Sequence, residues 1–293
     1  MQIKKNLLII LSLFIAQNAL AQKAISYKIF KGNGKKTSYK KLIKTASKSD
    51  IVFFGEEHDN PIAHWLELEL TKELYKKTEG KIVMGAEMLE TDNQKAYNNY
   101  LEGKIDYKQL KKDARLWPNF KTDYKPLLDF AKEKNIKFVA TNIPRRYASK
   151  VFHGGFEALD TLSSQEKKWI APLPIKYDST LTKYVAMTKM EHVKYMPKNM
   201  QKNMPKAQAV KDATMAYNIL KNYETGKIFI HYNGSYHSND YQGIVWYIKQ
   251  EKPEMKILTI SVETQEQLNK LDEKNKNKAD FIIVVNKDFP RSY

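Results

Sequence analysis

Asp50-Ile-Val-Phe-Phe-Gly-Glu-Glu-His-Asp-Asn60, followed by Pro61, is the stretch on which the fold turns. Ile51 to Phe54 is a short unbroken apolar run, the pattern of a strand buried on both faces. Gly55 lets the backbone turn. Glu56, Glu57, His58 and Asp59 then crowd ionisable groups at the strand's carboxyl end. Asn60-Pro61 opens a helix, with Asn as cap and Pro at the first helical position, where its missing N–H costs nothing. In an open α/β sheet, ligands bind at such strand-to-helix junctions. The plain alternative is a polar turn whose charges face water.

The same design recurs along the chain. Lys81–Glu87 ends in an acid, Ile136–Asn142 in Asn and then Pro, and Lys227–Asn233 in Gly and then His237; Lys256–Val262 and Ala279–Val285 look alike. Helical patterns fill the gaps. Pro61–Thr78 is predicted to turn Ile62, Trp65, Leu66, Leu70 and Leu74 inward, with Gly80 as its stop signal. Further helices are expected at Lys125–Lys134, Lys206–Tyr223 and Tyr241–Lys249. Strands alternating with helices define an α/β fold, a central mostly parallel sheet flanked by helices. Helical insertions are expected at about 91–124 and 143–225, because these gaps exceed what a crossover helix needs. Tyr27 to Lys36 reads as a loosely held N-terminal arm with room for a strand.

Residues 1–21 read as a signal peptide. Lys4 and Lys5 form a basic region, Leu7–Ile15 an apolar core, and Ala19-Leu20-Ala21 a cleavage site, leaving 22–293 as a single exported domain. There is no cysteine, which excludes disulfides, thiol nucleophiles and lipidation through cysteine. The formal charge of +17 favours anionic partners such as an envelope surface or an acidic small ligand. Scattered lysines on solvated helix faces are the plainer account of the same number. With no zinc-finger spacing, RNP1-like signature or basic heptads, the chain lacks the marks of a nucleic-acid binder. It also lacks Gly-x-Ser-x-Gly, Walker A, Gly-x-Gly-x-x-Gly and His-Glu-x-x-His motifs.

A parallel sheet would bring Glu56, His58, Glu87, Asn142, His231 and His237 to one crevice, with His64 in the next helix turned toward it. Carboxylates beside imidazoles serve as general bases, metal ligands or orienting partners. Lying inside a strand, His231 is expected to be structural. Asn142-Ile-Pro-Arg-Arg-Tyr-Ala148 sets Arg145 and Arg146, bidentate partners for carboxylates, beside Tyr147, where positive charge favours a phenolate suited to ferric iron. The competing account is an ordinary helix start in which Tyr147 packs. Met187, Met190, Met196, Met200 and Met204, interleaved with Tyr184, His192 and Tyr195, form either a helix core or a platform for a flat hydrophobic cofactor.

Gly55–Asn60, Gly85-Ala-Glu-Met88, Asn142–Ala148, Gln208-Ala-Val-Lys-Asp-Ala-Thr-Met-Ala216 and Asn233-Gly-Ser-Tyr-His237 occur in this order. Together they resemble the ChaN family of haem-binding, iron-regulated envelope proteins, part of a larger group with erythromycin esterases and the TIKI/TraB proteins. The resemblance spans about residues 38 to 290. It implies a role in haem and iron acquisition, with haem iron held by tyrosine and two haems stacked across a homodimer. Carried onto this chain it suggests Tyr147 as axial ligand, with Tyr184 and Tyr195 as rivals, and Arg145 and Arg146 as propionate partners. It also adds Asp212 to the polar pocket of Glu56, His58, Glu87 and His237, residues that relatives use for hydrolysis. ChaN-like proteins are typically lipoproteins; this chain, without the cysteine, is expected to be a soluble periplasmic or secreted form. Two other functions stay open: a metal- or His/Glu-dependent hydrolase using Glu56, His58, Glu87 and His237, and an interaction module docking on an outer-membrane haem receptor.

Overall fold

In a computed structural model, residues 26–292 are described; the predicted signal peptide lies outside them. Their centre is an eight-stranded sheet in the order β2-β1-β8-β7-β3-β6-β4-β5. The strands are β1 (Tyr27–Lys31), β2 (Lys36–Thr37), β3 (Ile51–Glu56), β4 (Ile82–Glu90), β5 (Phe138–Asn142), β6 (Ile228–Gly234), β7 (Ile257–Gln265) and β8 (Phe281–Asn286). From β8 to β5 every pairing is parallel. Each of the six apolar runs is a strand of this α/β sheet. The N-terminal arm is not loose: β1 pairs antiparallel with β8 over its whole length, and Phe30 is buried. Pairing to β8 satisfies a row of backbone groups that a free arm would leave to water.

Alternation along β3 sorts the two cores. Val52 and Phe54 enter one, and Ile51 and Phe53 the other. The first core is closed by α1 (Tyr39–Ala46), α2 (Pro61–Lys77), α3 (Gln94–Leu101), α4 (Tyr107–Asp113) and α5 (Lys125–Lys134). The second is closed by α6 (Arg145–Gly154), α8 (Lys198–Asn222) and α9 (Ile244–Glu251); the short α7 (Thr182–Thr188) packs on α8. Much of 91–124 and 143–225 is helical. No helix among the described residues is long and apolar enough to cross a membrane.

Helix α2 starts as its sequence directs, the Asn60 side chain accepting from the Ile62 and Ala63 amides at 3.1 and 3.3 Å. Its inner face differs from the expected stripe. Trp65 is 49 % exposed and packs edge-on against Tyr27, while Ala63, His64, Leu66, Glu67, Leu70, Thr71 and Leu74 are buried. Spacing by three and four from Ala63 sets this face, and Trp65 falls off it. His64, Glu67 and Thr71 place polar side chains on that buried face.

Candidate functional site

Glu56 closes β3 on the same face as Val52 and Phe54, so it points toward α2. Glu87, in β4, shares the face of Val83 and points toward α8. The strand ends therefore converge, but onto two clusters on opposite faces of the sheet, with His58 between them.

On the α2 side, His58 Nδ1 donates to Glu56 Oε1 at 2.7 Å, and the Tyr124 hydroxyl donates to the same oxygen at 2.7 Å. Burial would raise the Glu56 carboxyl, but the hydrogen bond from His58 and the close approach of His64 outweigh it and hold the group well below the usual carboxylate range. The His58 side chain is one third exposed, and its ring meets Trp117 edge-on at 4.9 Å. Gly234 makes room for it: a Cβ there would stand 2.7 Å from His58 Nε2.

On the α8 side, Glu87 accepts from the Gly234 amide at 2.7 Å and lies 3.1 Å from His237 Nε2. The other ring nitrogen, Nδ1, donates to Asp212 in a short hydrogen bond. Asp212 also accepts from the Tyr184 hydroxyl at 2.8 Å, and Gln208 Nε2 sits 3.1 and 3.2 Å from the two ring nitrogens. Burial alone would push His237 down, but the charges of Glu87 and Asp212 raise it to about 10. At neutral pH it is an imidazolium held between Glu87, kept low by its charge, and Asp212, whose carboxyl burial pushes up.

The remaining candidates separate from this pair of clusters. His231 is a buried structural residue between Thr141 Oγ1 (2.8 Å) and Asn233 Oδ1 (3.0 Å), pushed down to about 4 by burial and so neutral. Asn142 pairs opposite Glu90 at the strand edge, its Oδ1 without a partner among the described residues. Glu57 and Asp59 turn outward and bind Arg291 at 2.9 Å each, latching the C-terminal segment onto the junction. Tyr147 does not meet the phenolate expectation. It is 1 % exposed, accepts from Arg146 Nη2 at 2.9 Å, donates to Glu166 at 3.1 Å, and stacks near Trp169. Burial and then the Glu166 hydrogen bond outweigh Arg146 and raise its pKa, so the phenol keeps its proton. Arg146 is itself paired to Asp92 at 2.6 Å. Tyr184 is equally buried, and its bond to Asp212 adds to a strong upward shift caused first by burial.

Tyr195, in contrast, is 82 % exposed at the end of a 3-10 turn, Glu191–Tyr195, in the methionine-rich segment. Next to it in sequence, Met196 lines an open groove of about 350 Å³ between α6 and α8, with Phe152, Met187 and Met204 as its other large apolar walls. Arg145, Gln208 and Lys211 also line it. Gln208 joins this groove to the His237 cluster, and Arg145 has no ion-pair partner among the described residues.

Several of these participants escape a reading of the sequence. Glu67 had a signal, an acid three residues after His64 on one helix face, and Gln208 had one in its four-residue spacing from Asp212. Asn119, which donates to the His58 carbonyl at 3.1 Å, Asp123, 3.4 Å from His64 Nε2, and Tyr124 had none, because they reach the site through the tertiary placement of an insertion.

What the fold and site define is a mostly parallel α/β protein with a divided Glu/His crevice and a methionine-lined groove beside it. The chain belongs to the haem-binding uptake family of the Tiki superfamily, ChaN, whose profile matches residues 42–248. Among solved structures it is similar to ChaN of Campylobacter jejuni, solved with cofacial haem binding (TM-score 0.68, 18 % identity, 89 % of this chain and 98 % of that one). A Bacillus cereus protein also aligns, at TM-score 0.52 and 13 % identity over 89 % of this chain and 95 % of that one. These likenesses carry the fold. In sequence, 147 residues are 27 % identical to the chloroplastic protein RETICULATA-RELATED 5 of Arabidopsis thaliana, covering 48 % of this chain and about a fifth (19 %) of that protein's length.

Proposed function

We propose that this protein is an exported haem-binding protein serving haem and iron uptake, with haem iron held by the Tyr195 phenolate over the methionine-lined groove. The observation that carries the reading is the exposure of Tyr195, next in sequence to the groove-lining Met196, in a member of this family. Tyr147 and Tyr184 would each have to leave buried hydrogen bonds to reach an iron; Tyr195 has no such cost. Methionine side chains adapt to a flat macrocycle, and Arg145 with Lys211 offers cationic partners for its propionates. A haem laid over the groove would turn its outer face toward a second haem. Export rests on the basic and apolar pattern of residues 1–21, and a mature chain beginning at Gln22 by mass spectrometry checks it.

Titration with haemin, followed by visible absorption, tests the ligand. Wild type is expected to saturate near one haem per chain with a high-spin tyrosinate-type spectrum. Tyr195→Phe should lose that spectrum, and Tyr147→Phe should keep it. The reverse pattern would move the ligand to Tyr147, and no saturation in wild type would overturn haem binding altogether.

A second reading, hydrolysis at the crevice, is favoured by the Asp212–His237 hydrogen bond, which orients an imidazole as catalytic dyads do. It ranks behind because His237, raised to about 10 with both ring nitrogens turned to carboxylates, has no lone pair to take a proton from water. Ester or peptide cleavage that survives Tyr195→Phe and is lost in His58→Ala would reverse the ranking.

A further inference from the structure

Behind the open crevice, Glu56, His64 and Glu67 meet between the end of β3 and the inner face of α2. One ligating atom from each lies within 4.8 Å of the other two, and none of the three residues is more than 6 % exposed. His64 Nδ1 faces both carboxylates, 3.1 Å from Glu56 Oε2 and 3.3 Å from Glu67 Oε2. A ring nitrogen carries one N–H at most, so it serves one of them. The contact to Glu67 is aligned as a hydrogen bond; among the described residues, Glu56 Oε2 and Glu67 Oε1 are left with no hydrogen-bond partner. Against burial, the two acids raise His64 to about 11, so an imidazolium holds the cluster; its one Nδ1–H still leaves an oxygen of each acid open, the geometry a divalent ion would fill.

The far edge of the ring is already arranged for one. His64 Nε2 donates to the His58 carbonyl at 3.1 Å and lies 3.4 Å from Asp123, which in turn accepts from Asn119 Nδ2 at 2.7 Å. A carbonyl only accepts, so Nε2 keeps its proton, and Nδ1 is the nitrogen that coordinates once its own proton leaves. Metal-bound imidazoles carry this outer arrangement, with a carbonyl or carboxylate fixing the tautomer. We propose that Glu56, His64 and Glu67 form a buried site for one divalent transition-metal ion, bound through Nδ1 and a carboxylate oxygen from each acid. One imidazole and two carboxylates suit zinc, with manganese the next match. On binding, the ion takes the place of the proton at Nδ1, which leaves to solvent.

This site is separate from the crevice and independent of the haem reading. Glu56 serves both: Oε1 receives His58 and Tyr124 on the crevice side, and Oε2 faces the ion. The metal would act as a positioning element, holding the carboxylate that orients His58.

The test strips the full-length protein with a chelator, re-equilibrates it with Zn2+ or, in parallel, Mn2+, and counts retained metal by elemental mass spectrometry. Wild type is expected to keep one ion per chain. Glu67→Gln and His64→Gln should weaken Zn2+ retention by more than the roughly 10–100-fold typical of outer-sphere changes, and His237→Asn should retain it. Wild type holding no metal, Glu67→Gln binding as well as wild type, or loss in His237→Asn would each overturn the proposal. X-ray absorption at the zinc edge of the wild-type protein guards against variants that do not fold. One imidazole with oxygen ligands is expected; two imidazoles would place the ion in the crevice and defeat the assignment.

Discussion

His237 has no ring nitrogen to spare, and that sets a pH dependence. Its folded-state pKa, about 10, lies above the ordinary 6.5, so its ion pairs contribute fully below about pH 6.5 and are lost as pH rises toward 10. Glu87, held low against burial by the charge of His237, stays ionised throughout that window. Thermal stability of the wild type should therefore fall from pH 6.5 to 10, by an amount on the order of a few kcal/mol. His237→Gln should be less stable at pH 6.5, where it leaves Glu87 and Asp212 without their cation, and its pH slope should be visibly shallower. Parallel slopes in melts of the two proteins would show that the cluster is not an imidazolium pair. Most of this cluster was legible at the residue scale: Glu87 and His237 ended apolar runs, and Asp212 came with the family resemblance. The upward shift of Tyr147 was not legible, because its sequence neighbour Arg146 is only one of the groups around it. Burial and Glu166, 19 residues away, decide its protonation, and neither is visible along the chain.

At the scale of elements, the junction of β3 and α2 carries the site, and its cap is the point at which to test it. Asn60 is buried, accepts two α2 amides, and donates to Glu57 at 3.1 Å. Asn60→Ala should cost about 1 kcal/mol, up to about 2, by denaturant unfolding, and Asn60→Ser should recover much of it. An unchanged midpoint for Asn60→Ala would mean that the helix start is held by packing alone. The six long parallel strands were readable because each is an apolar run covered on both faces. Helix α8 was read only from Lys206, since Pro205 looks like a start, yet the helix continues back to Lys198 and carries Pro205 inside it. Its central residues are buried on nearly every side, between the second core and the crevice, so no single stripe marks it. The insertions gave little signal for a related reason. Their short helices are placed by contacts with other elements, as Arg115 shows by reaching Glu90 and Asp92 to bind 107–115 back to the end of β4.

For the whole molecule, the open groove has consequences for assembly. A haem seated on Tyr195 would cover one face against Phe152 and the methionines and leave the other bare, because no described segment of the same chain closes over the groove. A bare porphyrin face in water is the kind of apolar surface that association buries, and a second copy presents the same surface, as a two-fold contact requires. The formal charge of +17 opposes association of the empty chains by mutual repulsion, and anionic haem reduces that repulsion at the contact itself. The protein should therefore be monomeric without haem and become dimeric as haemin approaches one per chain, with the dimer favoured further by added salt, which screens the remaining like charges. Sedimentation velocity across a haemin titration reads this directly. Tyr195→Phe should stay monomeric through the same titration, whereas Tyr147→Phe should dimerise as wild type does. A wild-type protein that binds haem and remains a monomer at high salt would show that the second face is closed by its own chain, and would remove the two-fold arrangement while leaving the tyrosine ligand intact.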